Sequence, residues 1–417
     1  MAGYNNNIMK RLLDRMLFAI FFIITFFTPI ITVNFTAELY EFPKIFFLYF
    51  FGSALIFLFL LKYIIFEDKI IFPNKLLLGF IFVFMISVTF SSHLYTSIWG
   101  YYSRFNDGLS STLLFLGIYF VGINILNKEK IEILINTIIL SSIPISVHGF
   151  TQISTVERVY STLGQPNWLA AYYLLVIFLI LRKIIILLNN KQNHMAYLLS
   201  LYFVLTLIVF IFTKSLSGFI GLGLAIIYIL FLLSRKLKKI KLAILFGAVL
   251  LVMLIGGYFL RHRLYDALNF STDPESYNIS DPGLIRLGLW KGSLLMWLSN
   301  PKIFLFGTGP ETFTYNFAFF RQDILNYSSE WDFILNKPHN YYLEILTETG
   351  FLFFIFYLSI LYKVFKSPHM FIKISMVGFL ASNIFGWPTV ATGYLFWLYI
   401  CFTDILSRDI KSTNVKI

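Results

Sequence analysis

A single cysteine, Cys401, in 417 residues excludes an intrachain disulfide and a cysteine-ligated metal centre. Charge is scarce too: Asp, Glu, Lys and Arg make up 13% of the chain, against roughly 25% in a soluble domain. With 58% apolar residues and a mean hydropathy of +0.77, a water-soluble fold of this length has too little polar surface to cover its apolar side chains. There is no spacing of histidines and acids typical of metal sites, no phosphate-cradling glycine loop followed by lysine, and no nucleophile elbow. These lacks argue against zinc-peptidase, P-loop and serine-hydrolase chemistry. Internal repeats, low-complexity tracts and an appended soluble domain are absent as well.

What is present is a succession of apolar runs, several of them reaching the roughly 20 residues that cross a bilayer. Their repetition without alternation predicts helices rather than a barrel, and the 49 Phe and 25 Tyr suit lipid-facing and interfacial positions. The expected fold is an all-α polytopic membrane protein with about twelve transmembrane helices. Spans are expected near 16–35, 44–66, 71–90, 109–126, 131–148, 167–187, 196–213, 217–234, 241–260, 341–362, 371–386 and 389–406. Residues 1–260 then hold nine spans, 261–340 form one large periplasmic or extracellular loop, and 341–417 hold three spans and a short tail.

The net charge of +12 would suit nucleic acid if it were gathered in one patch, but Lys and Arg sit mainly in short loops between apolar runs. With the long loop set aside, 22 of them fall on the side of the N-terminus and 4 on the other. This bias predicts both termini in the cytoplasm. Lys10, Arg11 and Arg15 before the first run read as the flank of a signal-anchor. The expected partners are therefore membrane lipids, with no role for nucleic acid.

Topology filters the candidate residues. His93, His148, His262 and His339 fall on or near the outer side, His194 and His369 on the inner. His339 follows Pro338, and proline suits a first helical position. His339 is thus expected in the first turn of the tenth span, where the helix dipole favours a neutral imidazole able to accept a proton. The competing reading is a histidine capping a membrane helix at the headgroups. Arg104, Arg158, Lys214 and Arg286, with Arg261 and Arg263, form an outward set of cations that would hold a pyrophosphate if they share a cleft. Taken singly, each reads as an interfacial anchor. Lys214 is set apart by its tight turn, Thr213-Lys214-Ser215-Leu216-Ser217-Gly218. Glu344 and Glu348 lie four apart on one helical face, a spacing that serves a metal, a proton relay or an interfacial polar stripe. Leu284–Leu298 reads as an amphipathic helix lying at the membrane surface.

Several stretches together resemble the core of the O-antigen ligase and polymerase superfamily. They are Arg286-Leu287-Gly288-Leu289-Trp290, Asn300-Pro301, Phe306-Gly307-Thr308-Gly309-Pro310, Pro338-His339-Asn340-Tyr341-Tyr342-Leu343-Glu344 and Glu348-Thr349-Gly350. Upstream, Tyr102 to Leu109, with Arg104 and Asp107, is similar to the arginine and glycine loop of such proteins. Thr162-Leu163-Gly164-Gln165-Pro166-Asn167-Trp168 is similar to their glycine, proline, asparagine segment, and Glu38 to Lys44 to their N-terminal part.

The resemblance implies a metal-independent glycosyltransferase, without cofactor, in the bacterial cytoplasmic membrane and with its site on the outer face. It would move glycan from an undecaprenyl-pyrophosphate donor to an acceptor hydroxyl. His339 would be the catalytic residue and Arg286 the contact to the donor pyrophosphate, with Arg104 and Arg158 assisting. Relatives often carry Ser-Arg before the eighth span; Leu216 follows Ser215 here, and Lys214 would supply that charge. Gly164, Gln165, Asn167, Trp290, Gly307, Gly309, Asn340, Glu344 and Gly350 would support the site. The acceptor implied first is a lipid A core or similar lipid, then a second lipid-linked repeat (a polymerase) or a protein hydroxyl. A transporter or flippase is the reading from a different class. It fits less well, because such folds bury charge at the midplane and show related halves.

Overall fold

In hydrocarbon every backbone N–H and C=O must be satisfied within its own segment or by a neighbour, and apolar runs of this length meet that demand as helices. The computed structural model describes residues 2–234 and 282–414, and no β-strand occurs among them. The first part of the chain forms α1 (Ala2–Phe27), α2 (Glu41–Phe66), α3 (Lys75–Thr89), α4 (Leu94–Trp99), α5 (Leu109–Ile125) and α6 (Lys128–Gln152). α7 (Pro166–Asn189), α8 (Asn193–Phe212) and α9 (Leu216–Ser234) follow. Beyond the undescribed stretch come α10 (Pro282–Trp297), α11 (Pro301–Phe306), α12 (Phe313–Phe317), α13 (Tyr341–Glu348), α14 (Gly350–Lys366), α15 (Met370–Ser382) and α16 (Val390–Asn414). The expected ninth span at 241–260, His262, Arg261, Arg263 and the start of the expected loop lie outside the described residues.

Among the described residues, α2, α6, α7, α8, α9 and α16 are long and apolar enough to cross a membrane; α3, α5 and α15 are apolar but shorter. α7 is the axis of the bundle. It is apolar on every side, and each residue from Leu169 to Ile180 is buried, the mark of a helix surrounded by others. α6, α8, α9, α15 and α16 pack around it. Farther out, α2, α3 and α8 turn Phe50, Phe57, Ile64, Phe82, Leu198 and Leu201 outward. A surface of this kind calls for lipid rather than water.

Two expectations are corrected. The tenth span was read as one helix over 341–362, but the chain breaks at Thr349 into α13 and α14. Gly350 has φ +79°, and a β-carbon there would run into the backbone of Leu305. The break is a packing device: α11 presses against the joint, and Gly307, at φ +74°, approaches the backbone of Glu348 equally closely. The second correction concerns His339, which is not in a helical turn. α13 begins at Tyr341 with Asn340 as its N-cap, so Pro338 and His339 belong to the preceding loop.

The amphipathic helix expected at Leu284–Leu298 is present as α10. Ile285, Leu289 and Met296 pack against Phe313, Phe317, Leu325 and Leu335, giving the segment after residue 282 a small core of its own. α10 rests on α13, which brings this segment against the bundle.

Candidate functional site

Three loops and a helix end converge on His339. The first is Tyr101–Gly108, where Ser103, Phe105 and Asp107 all have positive φ (78°, 52° and 59°). Such dense left-handed backbone folds a loop back on itself and is uncommon outside glycine. The loop carries Arg104, whose guanidinium lies 5.4 Å from the centre of the Trp168 ring and 5.7 Å from that of Trp387. Two indole faces are good surfaces for a planar cation. Its buried Nη1 has no hydrogen-bond partner among the described residues.

The second loop is Ser161–Gln165, leading into α7. Gly164, at φ +83°, lies flat against the Tyr40 ring. Gln165 caps α7, its side-chain oxygen accepting from Asn167 N at 2.8 Å and Trp168 N at 3.1 Å. Buried Lys44 reaches into the same place and donates to the carbonyl of Thr162 at 2.8 Å. Glu41 Oε2 accepts from Val390 N at 2.6 Å and so holds the start of α16, where the helix dipole favours an anion. The familiar Glu38–Lys44 stretch is thereby a brace, tying the Gly164 turn to the Trp387–Val390 segment.

The turn before α9 is the third. Lys214 has φ +46°, and Ser215 Oγ accepts from Gly218 N at 3.1 Å while donating to Asn167 Oδ1 at 2.8 Å. Arg158 clasps this turn: Nε donates to the Thr213 carbonyl at 3.2 Å, and Nη2 to Asn167 Oδ1 at 3.1 Å and the Lys214 carbonyl at 3.5 Å. Arg158 and Lys214 thus sit on the α7 side of the site, with Arg158 engaged in holding two segments together.

His339 itself has φ +53°. Its imidazole meets the edge of Trp387 at 5.0 Å and 70°, and it lines a small cavity with Asn167, Trp168, Ser217 and Asn383. Burial, then the charge of Arg286, then that of Arg104 bring its pKa down from the ordinary 6.5 to about 4. Desolvation and two cations, rather than a helix dipole, thus favour the neutral form of this imidazole. Arg286 comes from α10, and Trp290, one turn on, packs its ring 5.9 Å from Phe385 beside the same cavity. His93 and His148 are occupied elsewhere. His93 caps α4 and stacks on Tyr315, and His148 lies 3.3 Å from Ser161 Oγ.

The supporting residues hold backbone. Asn340 Oδ1 accepts from Tyr342 N at 3.0 Å and Leu343 N at 3.2 Å, which caps α13. Gly309, at φ +106°, donates its N–H to the Glu348 carbonyl at 2.8 Å. Glu344 and Glu348 do not form a shared pair at an interface: both are buried, and they part company. Glu348 accepts from the backbone N–H of Glu311 at 2.8 Å and of Phe313 at 3.1 Å. Glu344 instead joins Glu311 and Asp107 around the ammonium of Lys337. The carboxylates of Asp107, Glu311 and Glu344 lie close enough together to ligate a cation, and Lys337 supplies one in their midst. Burial pushes the Asp107 carboxyl up to about 6 against the pull of Lys337.

Lys337, Glu311 and Trp387 escaped the sequence reading. Lys337 stood only two residues from His339, and Trp387 in a Gly-Trp-Pro break between two apolar runs; either adjacency was a usable signal.

The chain is thus a polytopic helical membrane protein in which half-buried His339 lines one small cavity with Trp168 and Trp387, with Arg286 and Arg104 near enough for their charges to lower its pKa. Residues 201–358 match the family described as O-antigen ligase. The chain is also similar to a protein of Rickettsia conorii provisionally named a polysaccharide ligase, 25% identical over 243 residues. That match takes in 54% of this chain and 54% of the relative, about half the length of each. No solved structure matches the chain.

Proposed function

We propose that the protein is an O-antigen ligase-type glycosyltransferase, transferring glycan from an undecaprenyl-pyrophosphate carrier to an acceptor hydroxyl at the outer face of the bacterial cytoplasmic membrane. The observation that carries this reading is the placing of half-buried His339 in a small cavity against Trp387, where desolvation and the charges of Arg286 and Arg104 favour its neutral form. Such a site offers a base for a hydroxyl and a positive field for a leaving anion.

In this reading His339 takes the proton from the acceptor hydroxyl as its oxygen attacks the anomeric carbon, with inversion. The bond from that carbon to the pyrophosphate oxygen breaks, and the carrier departs as its pyrophosphate. Arg286 and Arg104 meet the charge that develops, with Lys214 adding a further cation from the α9 turn. Preorganised cations of this kind contribute roughly 3 kcal/mol each when lost singly. The leaving group is already good, so these charges supply the remainder without a metal.

Donor binding has a second consequence. A bound pyrophosphate offsets the two arginine charges that depress the His339 pKa, so the imidazole becomes more basic when the donor is in place. A lipid A core or similar lipid is the favoured acceptor. A second lipid-linked repeat makes the same chemistry a polymerase, and a ladder of products from donor alone would identify it. The domain reading of 1–260, 261–340 and 341–417 carries over, with the middle segment and His339 on the outer side.

The test is transfer in proteoliposomes supplied with lipid-linked glycan and defined acceptors. His339→Ala should abolish product; turnover near that of the unsubstituted protein sinks the assignment.

A further inference from the structure

Lys337 is 4% exposed, and its ammonium is bound by Glu311 and Glu344, with Asp107 Oδ2 at 3.5 Å. Burial by itself lowers a lysine pKa, yet the three carboxylates hold this one well above the ordinary value. These acids come from three separate segments: the Tyr101–Gly108 loop, the turn before α12, and α13. Lys337 is two residues before His339, and Asp107 three residues after Arg104.

The backbone at His339 is left-handed, a conformation that residues with a β-carbon adopt when their surroundings impose it. Downstream it is pinned by Asn340, which caps α13. Upstream, Pro338 is rigid in φ, and the next side chain is that of Lys337. The loop that carries Arg104 is similarly left-handed, at Ser103, Phe105 and Asp107. One ammonium, carried by the His339 loop, thus bonds to the Arg104 loop through Asp107, to the turn before α12 through Glu311 and to α13 through Glu344.

We infer that Lys337 is the positioning residue of the site, fixing the His339 loop and the Arg104 loop relative to each other through the carboxylates of Glu344, Glu311 and Asp107. The inference rests on the reading of His339 and Arg104 as the groups that serve transfer, but one of its tests does not. Lys337 touches neither donor nor acceptor in this role. Its side chain holds the distance between the base and a cation that meets the leaving group.

The experiment uses the full chain in nanodiscs. Lys337→Met leaves the buried carboxylates of Glu311 and Glu344, and half-buried Asp107, without their cation, which endangers folding. A second variant, K337M/E311Q/E344Q, therefore removes the tether together with two of the acids. Carbethoxylation of histidines by diethyl pyrocarbonate at pH 6 is followed by peptide mass spectrometry, with exposed His194 as the internal reference. The expected result is at least a tenfold faster modification of His339 in the triple variant, with His194 unchanged, because the released loop lifts the imidazole away from Trp387. Transfer assays should show kcat falling at least tenfold and the KM for donor rising, as the Arg104 loop is freed as well. A His339 modification rate equal to that of the unsubstituted protein in the folded triple variant overturns the inference. If His339→Ala leaves transfer intact, the catalytic reading falls, while the modification rate still decides whether Lys337 holds the loop.

Discussion

Replacing Arg286 with methionine keeps the bulk of the side chain and removes one of the two positive charges facing His339. In the unsubstituted protein the imidazole titrates at about 4 instead of 6.5, a bias of about 3 kcal/mol toward the neutral form at roughly 1.4 kcal/mol per pH unit. Burial is the largest cause, Arg286 the second and Arg104 the third. Loss of Arg286 therefore returns less than half of that bias and raises the pKa, though not back to 6.5, because burial is the larger cause. The sign follows from the chemistry: the neutral form is the base, so activity is lost as pH falls through the folded pKa. The profile of kcat/KM reports the free enzyme and should keep its plateau down to about pH 4 in the unsubstituted protein. In Arg286→Met the limb moves up, on a lower plateau because the donor has lost a cation. The profile of kcat reports the donor complex, and its limb should lie above that of kcat/KM, since a bound pyrophosphate offsets the arginines. Asp107, at about 6, titrates in the same window, so the limb is assigned to His339 by its movement in Arg286→Met. Transfer by proteoliposomes between pH 4 and 8 measures both profiles. A kcat/KM limb at 6.5 in the unsubstituted protein, or one that stays fixed or moves down in Arg286→Met, refutes the reasoning.

Further outcomes follow from single contacts. Arg104→Lys exchanges a planar cation held by Trp168 and Trp387 for a compact ammonium; at about 0.5–1 kcal/mol per ring, the donor KM should rise roughly five- to thirtyfold in initial-rate assays. Gly350→Ala places a β-carbon against the Leu305 backbone at φ +79° and should cost about 1–3 kcal/mol, read as a lower melting temperature in detergent. Gly386→Ala is its control: a β-carbon there has only the Ser382 carbonyl oxygen within 4 Å, at 3.9 Å, so the melting temperature should hardly move. Glu348→Ala strands the N–H groups of Glu311 and Phe313, at roughly 1–3 kcal/mol each. A melting temperature unchanged by that substitution would mean that Glu348 does not hold the turn before α12.

Much of the helical plan was legible because it is a one-dimensional property: a run of apolar residues with no charge to interrupt it folds as a helix whatever its neighbours. Helices therefore fall within eleven of the twelve stretches read as spans, and among the described residues six of them are long and apolar enough to cross a membrane. The break at Gly350 was not legible, since a glycine inside an apolar run reads as a minor flaw until the backbone of Leu305 is seen against it. The position of His339 was misread for a related reason. Pro338 suits a first helical turn, but Asn340 competes for the cap, and tertiary packing decided in favour of the asparagine.

The sequence by itself determined an apolar helical membrane protein and singled out a few cations and one histidine among motifs that resemble a family's. Those are matters of composition and order along the chain. Only the tertiary structure decided which cations face His339, that Arg158 clasps a turn instead, and that Glu344 answers to Lys337 and not to Glu348. Such choices depend on which loops meet, and loops meet by long-range packing. The price of burying charge then settles their partners, since each buried ion must find an opposite one within reach.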